Sequence, residues 1–87
     1  MRNISFVPEG WEQYTYWQSQ DRKTLKRINI LIEAAARDPF EGIGKPEPLV
    51  GNLSGYWSRR IDKTNRLVYR ATDYELVVIG CRYHYDD

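Results

Sequence analysis

The sequence predicts one α+β domain spanning residues 1–87, with an antiparallel sheet of four or five strands and two N-terminal helices packed on one face. The chain has 87 residues, 41% of them hydrophobic and 29% charged, which is an ordinary globular balance for a single domain. Its first half contains two segments with helical periodicity. Its last third contains three short β-rich segments separated by turn residues, and such a separation of helices from strands is typical of α+β proteins.

The N-terminal half predicts a strand followed by two helices. Residues Arg2–Val7 alternate polar and apolar side chains, as a half-buried strand does. Pro8 suits the first turn of a helix that ends near Gln20. Asp21 is a favourable cap for a second helix over Arg22–Arg37, since this segment has no glycine or proline. The second helix carries an apolar stripe formed by Leu25, Ile28, Leu31, Ile32 and Ala35.

The C-terminal half predicts a long loop and then a meander. Asp38–Gly55 is rich in glycine and proline, and long ordered loops in compact domains are often functional. Within it, Glu47–Val50 has the character of a short strand. Three strands are predicted at Tyr56–Ile61, Arg66–Ala71 and Glu75–Tyr83, and the tight turns between them make neighbouring strands antiparallel.

Strand alternation predicts which face of the sheet the helices cover. Leu67 and Tyr69 share one face of their strand, whereas Arg66 and Arg70 share the other. Because an uncompensated charge is costly to bury, we expect the helices to cover the Leu67 face. The arginine face is then open and is suited to binding phosphate.

Composition also excludes several classes of protein. No apolar run approaches the roughly 18 residues of a membrane span, and no secretory leader is evident, so we expect a cytoplasmic protein without a membrane partner. One cysteine, Cys81, cannot form an internal disulfide, and one histidine, His84, cannot anchor a His/Cys zinc site. We therefore expect no organic cofactor, and chemistry that uses side chains alone or a metal held by carboxylates.

If the substrate is RNA, metal-free cleavage needs a base for the ribose 2′-OH, an acid for the leaving oxygen and a cation for the developing charge. His84 is the candidate acid, and Glu47, which lies between two prolines, is the candidate base. Arg66 is the candidate cation, with Arg60 or Arg59 on the neighbouring strand.

Each of these residues also has an ordinary structural interpretation. His84 is equally typical of a surface histidine, Glu47 of a loop glutamate, and Arg66 of a cross-strand pair with Asp62 or Glu75. Composition and spacing alone therefore reach only an open basic face on a small α+β domain, with RNA as one candidate ligand.

Several runs in the chain carry a more specific signal as a set. In order and spacing they resemble the YoeB/Txe toxins of the RelE-like toxin–antitoxin superfamily. The runs are YWQ at 16–18, PFEG at 39–42, GKPEPL at 44–49, NLSG at 52–55, WSRRI at 57–61, RLVY at 66–69 and HY at 84–85.

The resemblance implies a RelE-like microbial RNase fold and a ribosome-dependent messenger-RNA endonuclease. Such a toxin cuts the codon in the ribosomal A site without a metal and leaves a 2′,3′-cyclic phosphate and a 5′-hydroxyl. The implied partners are a cognate YefM/Axe-type antitoxin, the ribosome and its messenger, and operator DNA only through the antitoxin complex. Family members also form homodimers, which leaves a homodimer open for this chain.

The resemblance also assigns roles to individual residues. It implies that Glu47 is the general base, Arg66 stabilises the transition state and His84 is the general acid. Tyr85 is implied to orient the substrate. The implied RNA contacts are Arg60, Arg59 and Lys45.

The chain departs from the family at Val50, where relatives often have lysine, and Asp86 and Asp87 follow the HY pair. A non-catalytic RNA-binding, ribosome-binding or antitoxin-binding module on the same fold is the alternative, and it would not need Glu47 or His84.

Overall fold

The computed structural model describes residues 1–83, which form one five-stranded sheet and two α-helices. The elements are β1 (Asn3–Phe6), α1 (Pro8–Gln20), α2 (Arg22–Arg37), β2 (Glu47–Pro48), β3 (Trp57–Arg60), β4 (Arg66–Ala71) and β5 (Glu75–Gly80). A single 3-10 turn lies at Gly51–Leu53. The α+β prediction is confirmed, and the predicted helix limits agree with the structure.

Local sequence signals fix the junction between the two helices. Pro8 is the first residue of α1. The Asp21 carboxylate accepts hydrogen bonds from the backbone N–H groups of Lys23 and Thr24 and thereby caps α2. The hydrogen bonds from Thr24, first from its backbone and then from its side chain, lower the pKa of Asp21. One extended residue therefore separates α1 from α2, and the helices form a hairpin.

The strand order is β1-β5-β4-β3-β2, and the predicted antiparallel meander accounts for three of these five strands, β3, β4 and β5. The short strand predicted in the loop is β2, which pairs antiparallel with β3. The fifth strand differs from the prediction, because β1 pairs parallel with β5 and makes the sheet mixed. A tight turn forces neighbouring strands to be antiparallel, whereas β1 reaches the sheet through a long helical connection that leaves either direction open. Strand alternation along the sequence does not carry this information.

The core lies between the helices and one face of the sheet, as the alternation of Leu67 and Tyr69 predicts. Its buried members are Trp17, Ile28, Leu31, Ile32, Ala35, Ala36, Ile61, Leu67, Tyr69, Leu76, Val78 and Cys81. The apolar stripe of α2 supplies many of them. Within the described residues, no helix is long and apolar enough to cross a membrane.

Close contact between α1 and β5 depends on one glycine. A Cβ atom on the buried Gly10 would lie 2.5 Å from the carbonyl oxygen of Val78. A side chain at this position would push the helix away from the strand, since backbone atoms cannot move aside cheaply. Gly10 therefore sets the distance between α1 and the sheet.

A side chain of α1 determines where β5 ends. The prediction extended this strand to Tyr83, but the described strand ends at Gly80. The Gln13 side-chain oxygen accepts hydrogen bonds from the backbone N–H groups of Cys81 and Arg82, at 2.8 and 3.0 Å. These groups are then unavailable to a neighbouring strand, and the chain turns back toward the start of β4.

Candidate active site

The largest fully buried side chain of the described residues is a charged one, Arg59 on β3. Its Nε donates to the Tyr69 hydroxyl at 3.0 Å. Its Nη1 donates to the carbonyl oxygen of Ile43 at 3.0 Å, and its Nη2 donates to those of Asp38 and Glu41. The buried guanidinium is thus surrounded by oxygen atoms of the loop that follows α2.

Tyr69 completes this arrangement from β4. Its hydroxyl accepts the Arg59 hydrogen bond and donates to the Pro39 carbonyl oxygen at 2.6 Å. Burial raises the pKa of Tyr69, although the adjacent Arg59 opposes that effect. The hydroxyl consequently stays neutral and can act as donor and acceptor together.

These contacts correct the prediction that Arg59 binds RNA. The side chain has no exposed surface, and its donors already bind three backbone carbonyl oxygens and the Tyr69 hydroxyl. Replacing them with phosphate would leave buried carbonyl groups unsatisfied, which is costly. Arg59 is a structural residue that ties the segment 38–44, here called the glycine loop, to the sheet.

The glycine loop leads directly to the candidate base. Gly44 has a φ of +82°, and a Cβ there would lie 2.7 Å from Leu31 Cδ2, so only glycine fits against α2. Its carbonyl oxygen accepts the Arg60 N–H at 2.7 Å. Lys45 follows with a φ of 52°, in the left-handed region, and is exposed. Such backbone geometry in a non-glycine residue is common at functional sites.

Glu47 is held at the edge of the sheet. It pairs with Ser58 across β2 and β3, and Ser58 pairs with Val68 on β4. Residues paired in this way point to the same face. Pro48 pairs with Trp57, which packs on the core, so Glu47 points to the opposite face, where it is exposed.

Arg60 and Arg66 are directly opposite each other on β3 and β4, on the same face as Glu47. Arg60 N–H bonds to Gly44 and Arg66 N–H bonds to Tyr83, so neither bonds across the pair. In such a non-hydrogen-bonded pair the Cα atoms are about 4.5 Å apart. Like charges on directly opposite residues are unfavourable in the free protein and attract an anion.

Ladder geometry gives the spacing of these groups. Glu47 and Arg66 lie two strands apart and two residues out of register, which corresponds to about 12 Å between their Cα atoms. Both side chains are long enough to approach a phosphodiester between them. The floor between them is formed by Ser58 and Val68, both buried, so this face is less open than the sequence predicts.

The turn between β3 and β4 holds the Arg66 side chain. Arg66 Nη1 donates to the carbonyl oxygens of Asp62 and Asn65, at 2.8 and 3.1 Å. The alternative prediction, an ion pair of Arg66 with Asp62 or Glu75, is not found among residues 1–83, where Glu33–Arg37 is the one salt bridge. Arg66 therefore forms no direct ion pair among residues 1–83, although its charge is felt by the Asp62 carboxylate in the same turn.

The described chain ends beside Arg66. The backbone N–H of Arg66 donates to the Tyr83 carbonyl oxygen at 3.0 Å, and Tyr83 N–H donates to Asn65 Oδ1 at 2.8 Å. His84 and Tyr85 lie outside the described residues, so their predicted roles remain predictions. Of the predicted site residues within residues 1–83, the sheet brings Glu47, Arg60 and Arg66 to one face, with Lys45 exposed two residues before Glu47.

Sequence reasoning missed the structural role of Arg59, although a signal for it was present. Arg59 is two residues from Trp57 on β3, so alternation places both on the core face. Sequence reasoning applied alternation to β4 but not to β3. The roles of Gln13 and Asn65 had no such signal, because their partners are backbone groups brought together only by the fold.

Taken together, the fold and the site define a small α+β protein that carries an exposed arginine, a half-buried arginine paired with it and an exposed glutamate on one sheet face, an arrangement suited to a phosphodiester ligand. The sequence profile described as a YoeB-like toxin of bacterial type II toxin–antitoxin system matches residues 6–85. The chain belongs to this toxin family, and the structure bears out the predicted resemblance.

Individual relatives agree with this assignment. The chain is 63% identical over 82 residues to the toxin YoeB of Streptomyces coelicolor, which covers 94% of this chain and 98% of that protein. The YoeB dimer of Staphylococcus aureus has a TM-score of 0.89 and 47% identity, covering 97% and 98% of the two chains. The toxin in the heterotetrameric YoeB–YefM complex of the same species has a TM-score of 0.88 and 46% identity, covering 98% and 99%.

The buried arginine yields a stability prediction. In Tyr69→Phe, Arg59 Nε and the Pro39 carbonyl lose their partner while remaining buried. We expect the free energy of unfolding to fall by about 1–3 kcal/mol, the cost of an unsatisfied buried polar group. Urea unfolding measures this change, and Tyr74→Phe, at an 81% exposed tyrosine, is the matched control. Equal stability of the two variants would contradict the proposed role of the hydroxyl.

The β3–β4 turn yields a pH prediction. Partial burial acts to raise the pKa of Asp62, but hydrogen bonds from Asn65 and Thr64 and the charge of Arg66 lower it below 3.8 overall. A lowered folded pKa adds stability above the unfolded value, and this stability is lost as the pH falls through the folded value.

We therefore expect Asp62→Asn to be less stable than the wild type at neutral pH, with the difference disappearing in acid below pH 3.8. Urea unfolding across this range measures it, and Asp73→Asn in the neighbouring turn is the control. A difference that stays constant down to the acid limit would show that the carboxylate charge is unimportant.

Proposed function

We propose that the chain is a metal-independent endoribonuclease that cuts messenger RNA in the ribosomal A site and thereby inhibits translation. The observation that carries this proposal is the Arg60–Arg66 pair, two opposed cations on the same sheet face as Glu47. The family assignment supports it, because the chain matches the YoeB-like toxins from residue 6 to residue 85. Paired guanidinium groups are well suited to binding a phosphate and to stabilising its developing negative charge.

The reaction divides among the chain's own groups. The Glu47 carboxylate takes the proton from the ribose 2′-OH, and the 2′-oxygen attacks the adjacent phosphorus. Arg66 stabilises the added negative charge, with Arg60 bound to a phosphate oxygen. His84 donates a proton to the departing 5′-oxygen, while Tyr85 orients the substrate. A new 2′-O–P bond replaces the 5′-O–P bond, so the products are a 2′,3′-cyclic phosphate and a 5′-hydroxyl.

The exposure of Glu47 is consistent with RNA cleavage that depends on the ribosome. A carboxylate is a weak base toward a ribose hydroxyl, because a carboxylic acid is a much stronger acid than an alcohol. The described residues leave Glu47 open to water. The ribosome then orients the messenger and excludes water from the reacting groups, which lowers the barrier. Lys45, exposed beside Glu47, is placed to contact the RNA backbone.

The proposed partners follow the relatives. The Staphylococcus aureus toxin of 46% identity is a subunit of a YoeB–YefM complex, and a related toxin forms a dimer. We accordingly propose a YefM/Axe-type antitoxin that neutralises this chain in the cytoplasm, with operator DNA bound only through that complex, and a homodimer of the toxin alone.

The acid–base pair is tested by removing both groups. We expect Glu47→Ala/His84→Gln to cause no growth arrest when induced, since each group contributes on the order of 10²–10⁴ in rate. Growth curves and mapping of transcript 5′ ends after induction measure the effect. Glu33→Ala, on the exposed face of α2, is the carboxylate control and should arrest growth like the wild type.

Equal growth arrest by the double variant and the wild type would defeat the catalytic role of both residues. If the double variant still bound ribosomes and arrested growth without new transcript ends, the chain would instead be a non-catalytic ribosome-binding module.

Ribosome dependence has its own test. We expect the purified protein to cut naked RNA far more slowly than the same message on translating ribosomes, because only the ribosome orients the scissile bond. Cleavage assays with and without ribosomes measure the ratio, and a block of translation initiation should remove the cuts in cells. Comparable rates on both substrates would exclude a catalytic contribution of the ribosome.

A further inference from the structure

One side chain connects the β3–β4 turn to the end of the described chain. Asn65, only 9% exposed, precedes Arg66. Its Nδ2 donates to both carboxylate oxygens of Asp62, at 3.2 and 3.1 Å. Its Oδ1 accepts the backbone N–H of Tyr83 at 2.8 Å. The amide therefore spans two segments that are 18 residues apart in sequence.

The chemistry of the neighbours fixes the orientation of this amide. A carboxylate can only accept hydrogen bonds, and a backbone N–H can only donate one. With the amide reversed, the Asn65 oxygen would face the Asp62 oxygens, and its NH₂ would face the Tyr83 N–H. Because both contacts would then be repulsive, Asp62 and Tyr83 together allow one orientation.

The same turn holds the candidate transition-state cation. The Asn65 backbone oxygen accepts hydrogen bonds from Ile61 N–H at 3.0 Å and from Arg66 Nη1 at 3.1 Å. The Arg66 N–H in turn donates to Tyr83. Asn65 thus contacts the Arg66 guanidinium through its backbone and the chain end through its side chain.

Arg82 and Tyr83 make further contacts that, together with the Asn65–Tyr83 hydrogen bond, hold the Tyr83 backbone in place. The Arg82 guanidinium carbon lies 3.7 Å from the centroid of the Tyr16 ring and 4.5 Å from that of Tyr83. Gln13 binds the two N–H groups before Tyr83. Tyr83 has a φ of 73°, a conformation that a residue with a side chain keeps only when its surroundings impose it.

We propose that Asn65 is a positioning residue, which sets the spacing between the Arg66 guanidinium and the backbone of Tyr83, the residue that precedes the candidate acid His84. The proposal rests on the nuclease function proposed above. In that function the cation and the acid act on two oxygens of one phosphate, so their spacing determines the rate. A misplacement of about 1 Å in such a group can cost 10²-fold.

The first test is Asn65→Ala, which removes the side-chain bridge and leaves the backbone oxygen that Arg66 uses. We expect kcat on ribosomes to fall on the order of 10- to 100-fold with KM changed by no more than about twofold, because substrate binding by Arg60 and Arg66 persists. Amide hydrogen exchange at Tyr83, measured by NMR, should become about tenfold faster or more. Asn29→Ala is the matched control, since its side chain accepts one hydrogen bond, from Tyr14, on the helical layer.

The second test, Asn65→Asp, separates positioning from a general loss of structure. The introduced carboxylate faces that of Asp62 at about 3 Å, so the two share a proton as the pH falls. The charged groups near the introduced carboxylate are Asp62 and Arg66. The positive charge of Arg66 favours the ionised carboxylates, so the recovery of kcat still requires acidification. The introduced carboxylate can still accept the Tyr83 N–H, but its repulsion by Asp62 displaces it. We therefore expect a lower kcat than wild type at neutral pH, and we expect kcat relative to wild type to rise on acidification. For Asn65→Ala, kcat relative to wild type should not change with pH.

The outcomes distinguish this proposal from the function on which it rests. Unchanged Tyr83 exchange in Asn65→Ala, or faster exchange with unchanged kcat, overturns the positioning role while the nuclease function stands. If Asn65→Ala fails to fold, the Asn65→Asp variant decides. A kcat relative to wild type that does not change with pH then overturns the positioning role. A wild type that cuts no messenger on ribosomes overturns the nuclease function and the catalytic role of Asn65 with it, and Tyr83 exchange alone then reports whether the bridge exists.

Discussion

The buried Arg59 guanidinium is the interaction on which the rest of the site depends. A charge inside a small core is costly unless its donors are paired. Here Asp38, Glu41 and Ile43 supply carbonyl oxygens, and Tyr69 supplies a hydroxyl. The requirement is mutual, because these loop oxygens would also be left unpaired without the guanidinium. A segment rich in glycine, which would otherwise be mobile, acquires one conformation.

That conformation has a direct effect on the chemistry. The glycine loop ends where Gly44 accepts the Arg60 N–H, and β2 begins three residues later with Glu47. The exposed glutamate is therefore positioned by the glycine loop, which the core anchors, and by its pairing with Ser58 on β3. The cation is placed by the β3–β4 turn in the same indirect way. Glu47 can stay exposed on its face of the sheet, because the loop before it is held by contacts in the core.

Much of the fold could be predicted from the sequence because its signals are local. Pro8, Asp21 and the stripe of α2 set the helices, and the order of the meander follows from its tight turns. The parallel pairing of β1 could not be predicted, since direction is decided by packing after a long connection. For the site, the Arg66 face followed from alternation, whereas the face of Glu47 depends on its pairing with Ser58. Arg59 was misassigned because alternation was not applied to β3, where it places Arg59 on the same face as Trp57.

The two-residue strand β2 has a further consequence for the behaviour of the protein at high concentration. It forms the outer edge of the sheet, and an exposed edge invites pairing with another chain. Pro48 cannot donate a ladder hydrogen bond, and a strand this short offers little template for one. The edge that holds Glu47, the proposed base, thus resists fibril-like stacking, and no segment among residues 1–83 pairs with its outer side.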